Sequence, residues 1–117
     1  MPTLDELIAK VKRETDPARV GMILCHNGVV RATTRTGEPA ECLDVTVDEA
    51  AWERVLADAR RLPGVAAVEA YHFSGCRRVG EDVMYVVIAA DIRENAFPAL
   101  EATVNRLKTE AVKKREW

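Results

Sequence analysis

Apolar positions follow two rhythms along this chain, one of helical period and one of strand period. Leu4, Leu7, Ile8 and Val11 share a helical face, and Thr3 followed by Glu6 forms a capping box at its start. That helix is expected to stop before Asp16-Pro17, because proline disfavours helical backbone in the residue before it. The clearest helix lies in VTVDEAAWERVLADARRLPG, where Ala51, Trp52, Val55, Leu56 and Ala59 make an apolar stripe. Thr46 with Glu49, or Asp48 itself, can cap it, and Pro63-Gly64 ends it. A third helix is expected to start between Asp91 and Asn95 and to bury Ala96, Phe97, Leu100, Val104 and Leu107.

Strand-length runs fill the intervals. Val20 to Cys25 is apolar and is followed by His26-Asn27-Gly28, after which Val29 to Thr34 is β-branched and reads as extended. Turn chemistry at Arg35 to Pro39 precedes a further strand carrying Cys42, Leu43, Val45 and Val47. Val65 to Phe73 and Asp82 to Asp91 read as strands separated by a loop at Ser74 to Glu81. The second of these is apolar on both faces, which places it in the middle of a sheet. Strands precede helices without strict alternation, so the expected class is α+β, with a mixed or antiparallel sheet packed by helices. Residues 1–117 are expected to form a single domain, with no repeat or linker.

Composition narrows the function. The chain has 117 residues, 48% of them hydrophobic, and a formal net charge of −2. That charge gives no reason to expect nucleic acid as the partner. The longest apolar run, Val83 to Ala90, is too short for a membrane span, and MPTLDELIAK lacks the apolar centre of an export signal. Cys25, Cys42 and Cys76 are an odd, widely spaced set without a CxxC, which argues against a disulfide framework and a zinc site and suits a reducing cytoplasm. No metal ligand set is expected.

Candidate chemistry then rests on cations. Lys108 flanks the apolar stripe of the last helix, where it can snorkel to solvent or serve, half-buried, as acid, base or nucleophile. Lys113, Lys114 and Arg115 follow that helix as a basic cluster, which the helix dipole favours without any ligand. Arg31 follows Gly28 in extended chain, and Arg93 stands at a helix start, where the dipole disfavours a cation. His26 and His72 share no metal spacing and read as structural or exposed. There is no glycine-rich phosphate loop and no readable serine or cysteine triad.

Four stretches in order, VGMILCHNGVVR, YHFSGCRRVGEDVMYVVIAA, DIRENAFPALEATVNRLKTEA and KKREW, resemble the large, catalytic subunit of molybdopterin synthase, the MoaE family. The resemblance runs from about Val20 to Glu116. It implies an α/β-hammerhead fold, a central homodimer, and a small ubiquitin-like sulfur-carrier subunit docked on each copy. The carrier's C-terminal Gly-Gly thiocarboxylate would supply sulfur to cyclic pyranopterin monophosphate, with no bound cofactor, to make the dithiolene of molybdopterin. By position, Lys108 matches the family's essential lysine, as general acid/base or covalent participant. Arg31 and Arg93 match arginines that would bind phosphate or carboxylate. Lys114 matches the second active-site lysine if one residue is deleted between Ala111 and Val112; without that gap the position is Arg115, which keeps the charge but is a poorer proton donor.

The chain departs from the pattern around the site. Ile92 stands where the family has a histidine, and Val112-Lys113 stands in place of a proline-aromatic-tryptophan run. Three readings therefore stay open: an active synthase subunit, a catalytically silent relative that dimerises or binds a carrier protein, and a generic α+β domain binding a small anion. As formulated, a zinc site or a structural disulfide would count against all three.

Overall fold

In the computed structural model, which describes residues 2–31 and 42–116, three helices pack around two three-stranded antiparallel sheets. The first sheet has the order β1 (Met22–Val29), β5 (Asp82–Ala90), β3 (Val65–His72). The second has the order β4 (Gly75–Arg77), β2 (Leu43–Val47), β6 (Val112–Glu116). The helices are α1 (Leu4–Glu14), α2 (Glu49–Ala59) and α3 (Arg93–Arg106), and a π-helical turn, Leu107–Ala111, extends α3.

β5 is the central strand, as its composition requires: Val86, Val87, Ile88, Ala89 and Ala90 are all 0% exposed. Its alternate residues serve two cores. Tyr85, Val87 and Ala89 pack with Leu7 and Val11 of α1, while Met84, Val86 and Ile88 pack with Trp52, Val55, Ala99 and Leu107 on the α2 and α3 side. Burying both faces of one strand removes more apolar surface from water than a one-sided sheet would, and it sandwiches the first sheet between α1 and the other two helices.

The helix starts follow their capping residues. The Thr3 hydroxyl accepts from the Glu6 N–H at 3.1 Å, and Asp48, not Thr46, caps α2 by accepting from the Ala51 N–H at 3.1 Å. The stripe of α2 is buried at all five expected positions. In α3 the buried set differs from expectation: Ala96, Ala99 and Thr103 are buried, Leu100 and Val104 partly so, and Phe97 is 56% exposed. Small residues let α3 lie close on the sheet, and this rotation turns Phe97 outward.

Three strand expectations are corrected. β1 runs unbroken through His26-Asn27-Gly28, where two separate extended segments were expected. The loop at Ser74 to Glu81 contains β4, and the terminal basic run forms β6, paired with β2 from Val47↔Val112 to Leu43↔Glu116. The turn expected at Arg35 to Pro39 lies outside the described residues.

The argument against a disulfide is also overturned. Cys42 and Cys76 are bonded, with Cα atoms 5.6 Å apart. The cause is the β2–β4 pairing, which sets Asp44 opposite Cys76 and so brings Cys42 alongside it; a separation of 34 residues gives no hint of this neighbourhood. Cys25 is the free cysteine. Among the described residues no helix is long and apolar enough to cross a membrane, and no group of three or more His, Cys, Asp or Glu side chains could hold a metal ion.

Candidate active site

β1 and the end of α3 build the site. Alternation along β1 sends Cys25, Asn27 and Val29 to the exposed side and turns Leu24, His26, Gly28 and Val30 inward. His26 lies opposite Val86 in the β1–β5 register, so its ring is on the side of the sheet covered by α2 and α3. A Cβ at position 28 would stand 3.3 Å from His26 Nε2, so the glycine leaves the ring its room. Nε2 is buried and makes no hydrogen bond.

α3 starts beside the beginning of β1 and packs along it, and the π-helical turn follows as an extension. In that turn the Val112 N–H donates to the Leu107 carbonyl, one residue wider than α-helical bonding, a geometry found often at functional positions. Leu107 and Ala111 are buried and Lys108 is exposed. Arg106 braces the turn by donating to Asp58 Oδ2 on α2 at 2.8 Å and to both Glu110 oxygens, at 2.6 and 3.0 Å. Those bonds hold the Asp58 and Glu110 carboxyls below the usual carboxylate range.

Lys108 and Lys114 both act on His26. Burial is the largest cause holding the imidazole below its ordinary pKa of 6.5, followed by the positive charges of Lys108 and then Lys114. Lys108 in the π-helical turn and Lys114 in β6 are thus the two cations whose charge reaches this ring. The β2–β6 register distinguishes the two cations at the chain's end. Lys114 pairs with Val45 and is exposed, and Arg115 pairs with Asp44 in the backbone register.

The other expected residues are placed differently. Arg31 is exposed directly after β1, next to Val30, whose backbone is fixed to Glu81 and Gly80. Arg93 is exposed at the first residue of α3, with its Nε 3.2 Å from Glu94 Oε1. It is separated from Lys108 by about 22 Å of helix at 1.5 Å per residue, so one chain does not bring these two together. Ile92, where the family carries histidine, is 52% exposed at that same end. A shallow pocket lined by Phe73, Arg77, Asp82 and Tyr85 opens on the α1 side of the sheet, and it contains none of the expected site residues.

His26 is the residue whose placement sequence reasoning missed. The signal was parity: once residues 22 to 29 form one strand, position 26 falls on the same side as Leu24 and Val30. Splitting the segment at His26-Asn27-Gly28 discarded that information.

The architecture is thus that of an α+β domain with Lys108 exposed on the turn that ends α3 and Lys114 exposed on the terminal strand. The sequence model of the MoaE protein family matches residues 3–110. The chain belongs to that family. It is 28% identical over 113 residues to a probable molybdopterin synthase of Haloferax volcanii, an alignment covering 92% of this chain but 43% of that protein. The chain thus spans less than half the length of that relative. The fold superposes with a TM-score of 0.79 on a MoaE protein from Burkholderia ambifaria, at 26% identity, covering 97% of this chain and 75% of the other. A complex of subunits 1 and 2 of molybdopterin-converting factor from Helicobacter pylori matches with a TM-score of 0.73, at 20% identity, covering 98% and 78%.

Proposed function

We propose that this chain is the catalytic subunit of a molybdopterin synthase and acts in molybdenum cofactor biosynthesis. The observation that carries this reading is the MoaE-family match over residues 3–110, with Lys108 exposed on the turn that Arg106 braces at the end of α3. Both substrates offered by such a reaction are anionic: a cyclic pyranopterin monophosphate and the C-terminal thiocarboxylate of a small ubiquitin-like sulfur carrier. Lysine ammonium groups such as those of Lys108 and Lys114 can neutralise and orient them. Opening the cyclic phosphate and losing water require proton transfer, for which Lys108, exposed on a braced turn, is the general acid/base. Arg31 and Arg115 would add phosphate or carboxylate contacts.

The carrier's docking is supported by the two-subunit assembly of the Helicobacter pylori relative. In a homodimer, Arg93 would serve a site other than its own chain's Lys108, given their separation along α3. A cytoplasmic location follows from the reaction class alone, because the Cys42–Cys76 bond removes the cysteine argument. That bond meets the condition set against the three readings as formulated; it counts against the expected compartment and leaves the fold intact, since it joins strands already paired.

A second reading keeps a specific observation in its favour. Ile92 can neither bind an anion nor carry a proton, and a silent relative that binds the carrier without turnover would retain the scaffold while losing that histidine. The family match removes the third reading, in which the motifs are coincidental. Reconstitution separates the remaining two. The protein is mixed with thiocarboxylated carrier and cyclic pyranopterin monophosphate, and the oxidised pterin is measured by fluorescence. Product that disappears in Lys108→Ala establishes the synthase; carrier capture without product establishes the silent relative.

A further inference from the structure

The second sheet carries a covalent bond that its packing does not call for. Disulfides staple small chains that cannot build a sufficient core. This chain has two apolar cores, one on each side of the first sheet, and neither contains Cys42 or Cys76. The bond ties β4 to β2 where three backbone pairs, Leu43↔Arg77, Asp44↔Cys76 and Val45↔Gly75, already join them. β4 is three residues long, and its Gly75 and Cys76 are exposed. It offers almost no apolar side chain for burial, so the crosslink is its strongest attachment. Cys76 is open to solvent in the folded chain, whereas Cys42 is half-buried. Exchange requires access to a sulfur, and exposed disulfides are the labile, regulatory ones.

We propose that the Cys42–Cys76 bond is a reversible thiol–disulfide exchange site, attacked at Cys76 by small dithiols, and that its reduction releases β4 from β2. A thiolate of the dithiol forms a bond to Cys76 Sγ. The Cys42–Cys76 bond breaks, and its electron pair leaves on Cys42 Sγ, which takes up a proton. The second thiolate of the dithiol then attacks its partner sulfur in the mixed disulfide, and Cys76 leaves as a thiolate and is protonated. Two electrons pass to the protein, and the dithiol ends as its own disulfide. The reverse sequence, with a small disulfide as oxidant, restores the bond.

Cys25 stays outside this exchange. It lies on β1 of the first sheet, and burial, followed by the charge of Asp5, holds its thiol above the ordinary value, which lowers the thiolate fraction available for attack. β2 is the middle strand of the second sheet, with β4 on one edge and β6 on the other. Release of β4 opens one edge of β2, while Val45, 1% exposed, keeps that strand seated in the core. Exchange therefore changes a sheet edge and not the fold. The inference stands apart from the synthase reading, because none of its readouts is turnover.

Full-length protein, folded and in parallel unfolded in urea, is incubated with dithiothreitol and quenched with acid, and its thiols are alkylated and counted by mass. The count should rise from one, Cys25, to three. The folded protein should be reduced within about tenfold of the unfolded chain's rate, because attack needs no unfolding. A bond reached only through global unfolding would react at least about 1,000-fold more slowly, and that result overturns the proposal. Removal of the dithiol and addition of glutathione disulfide should return the count to one; a protein that stays at three refutes reversibility.

Hydrogen exchange read by mass spectrometry supplies the second arm. On reduction the amides of Gly75–Arg77 should exchange at least about tenfold faster, with those of β5 unchanged. Cys76→Ser should reproduce this pattern without a reductant. Unchanged exchange in β4 would refute its release. A common acceleration of β4 and β5 would make the bond a staple of the whole fold and overturn the proposal.

Discussion

If Lys108 acts as proposed, two consecutive residues, Leu107 and Lys108, separate folding from catalysis at the end of α3. The Leu107 side chain is 0% exposed and belongs to the core beneath the π-helical turn. Leu107→Ala should cost about 3–4 kcal/mol, the transfer free energy of the lost methyl groups plus that of the cavity they leave. For a chain of this size, that corresponds to a fall in Tm of roughly 12–20 °C. Lys108 is exposed, and its side chain supports no core packing. Lys108→Ala should therefore change stability by no more than about 0.5 kcal/mol, yet lower sulfur-transfer turnover by about 100- to 10,000-fold. Thermal unfolding by circular dichroism and the reconstituted pterin assay read the two quantities on the same preparations. Full turnover in Lys108→Ala would refute its proposed role. A Leu107→Ala protein that melts with the wild type would refute the packing of the turn.

Three further outcomes follow from other parts of the fold. Cys42→Ser or reduction should destabilise the protein by up to about 4 kcal/mol on the loop-entropy account, since the bond closes a separation of 34 residues; alkylation of the unreduced, unfolded protein should label Cys25 alone. Gly64 has φ +75°, and a Cβ there would lie 2.2 Å from Asp91 Oδ1, so Gly64→Ala should cost at least about 1–3 kcal/mol, read as a lower denaturation midpoint. The His26 pKa is depressed in the folded state, so the folded protein binds fewer protons than the unfolded chain below about pH 6.5; stability should be full above that value and fall with pH through the folded pKa, and His26→Gln should flatten this slope in urea melts taken across the range.

The legible parts of the fold were those in which a strong period and a terminator agreed. α2 shows both, with five apolar positions between Asp48 and Pro63-Gly64, and every one of the five is buried. β5 was equally legible, because a run without alternation can be satisfied only by burial on both faces. β4 was not. Gly75, Cys76 and Arg77 have no apolar pattern, and their strand exists because β2 offers an unpaired edge. The Cys42–Cys76 bond was hidden for the same reason, since tertiary pairing, and not spacing, sets its geometry. Phe97 misled because size suggested burial, whereas close packing of α3 selected Ala96, Ala99 and Thr103.

The end of the chain shows how pairing turns a charge run into a site. Read by composition, Lys113, Lys114 and Arg115 are interchangeable cations following a helix. Once Val112–Glu116 pairs with β2, strand period makes them inequivalent. Lys113 and Arg115 take the parity of Thr46 and Asp44, while Lys114 takes that of Val45 and Val112. Val112 and Val45 are buried, whereas Lys113 and Lys114 are both exposed. A one-residue slip in the β2–β6 register would turn every residue of β6 to the other face. Which residue stands opposite Val45 is therefore a property of register, enforced by burial of Val112 and Val45, and not of the local sequence.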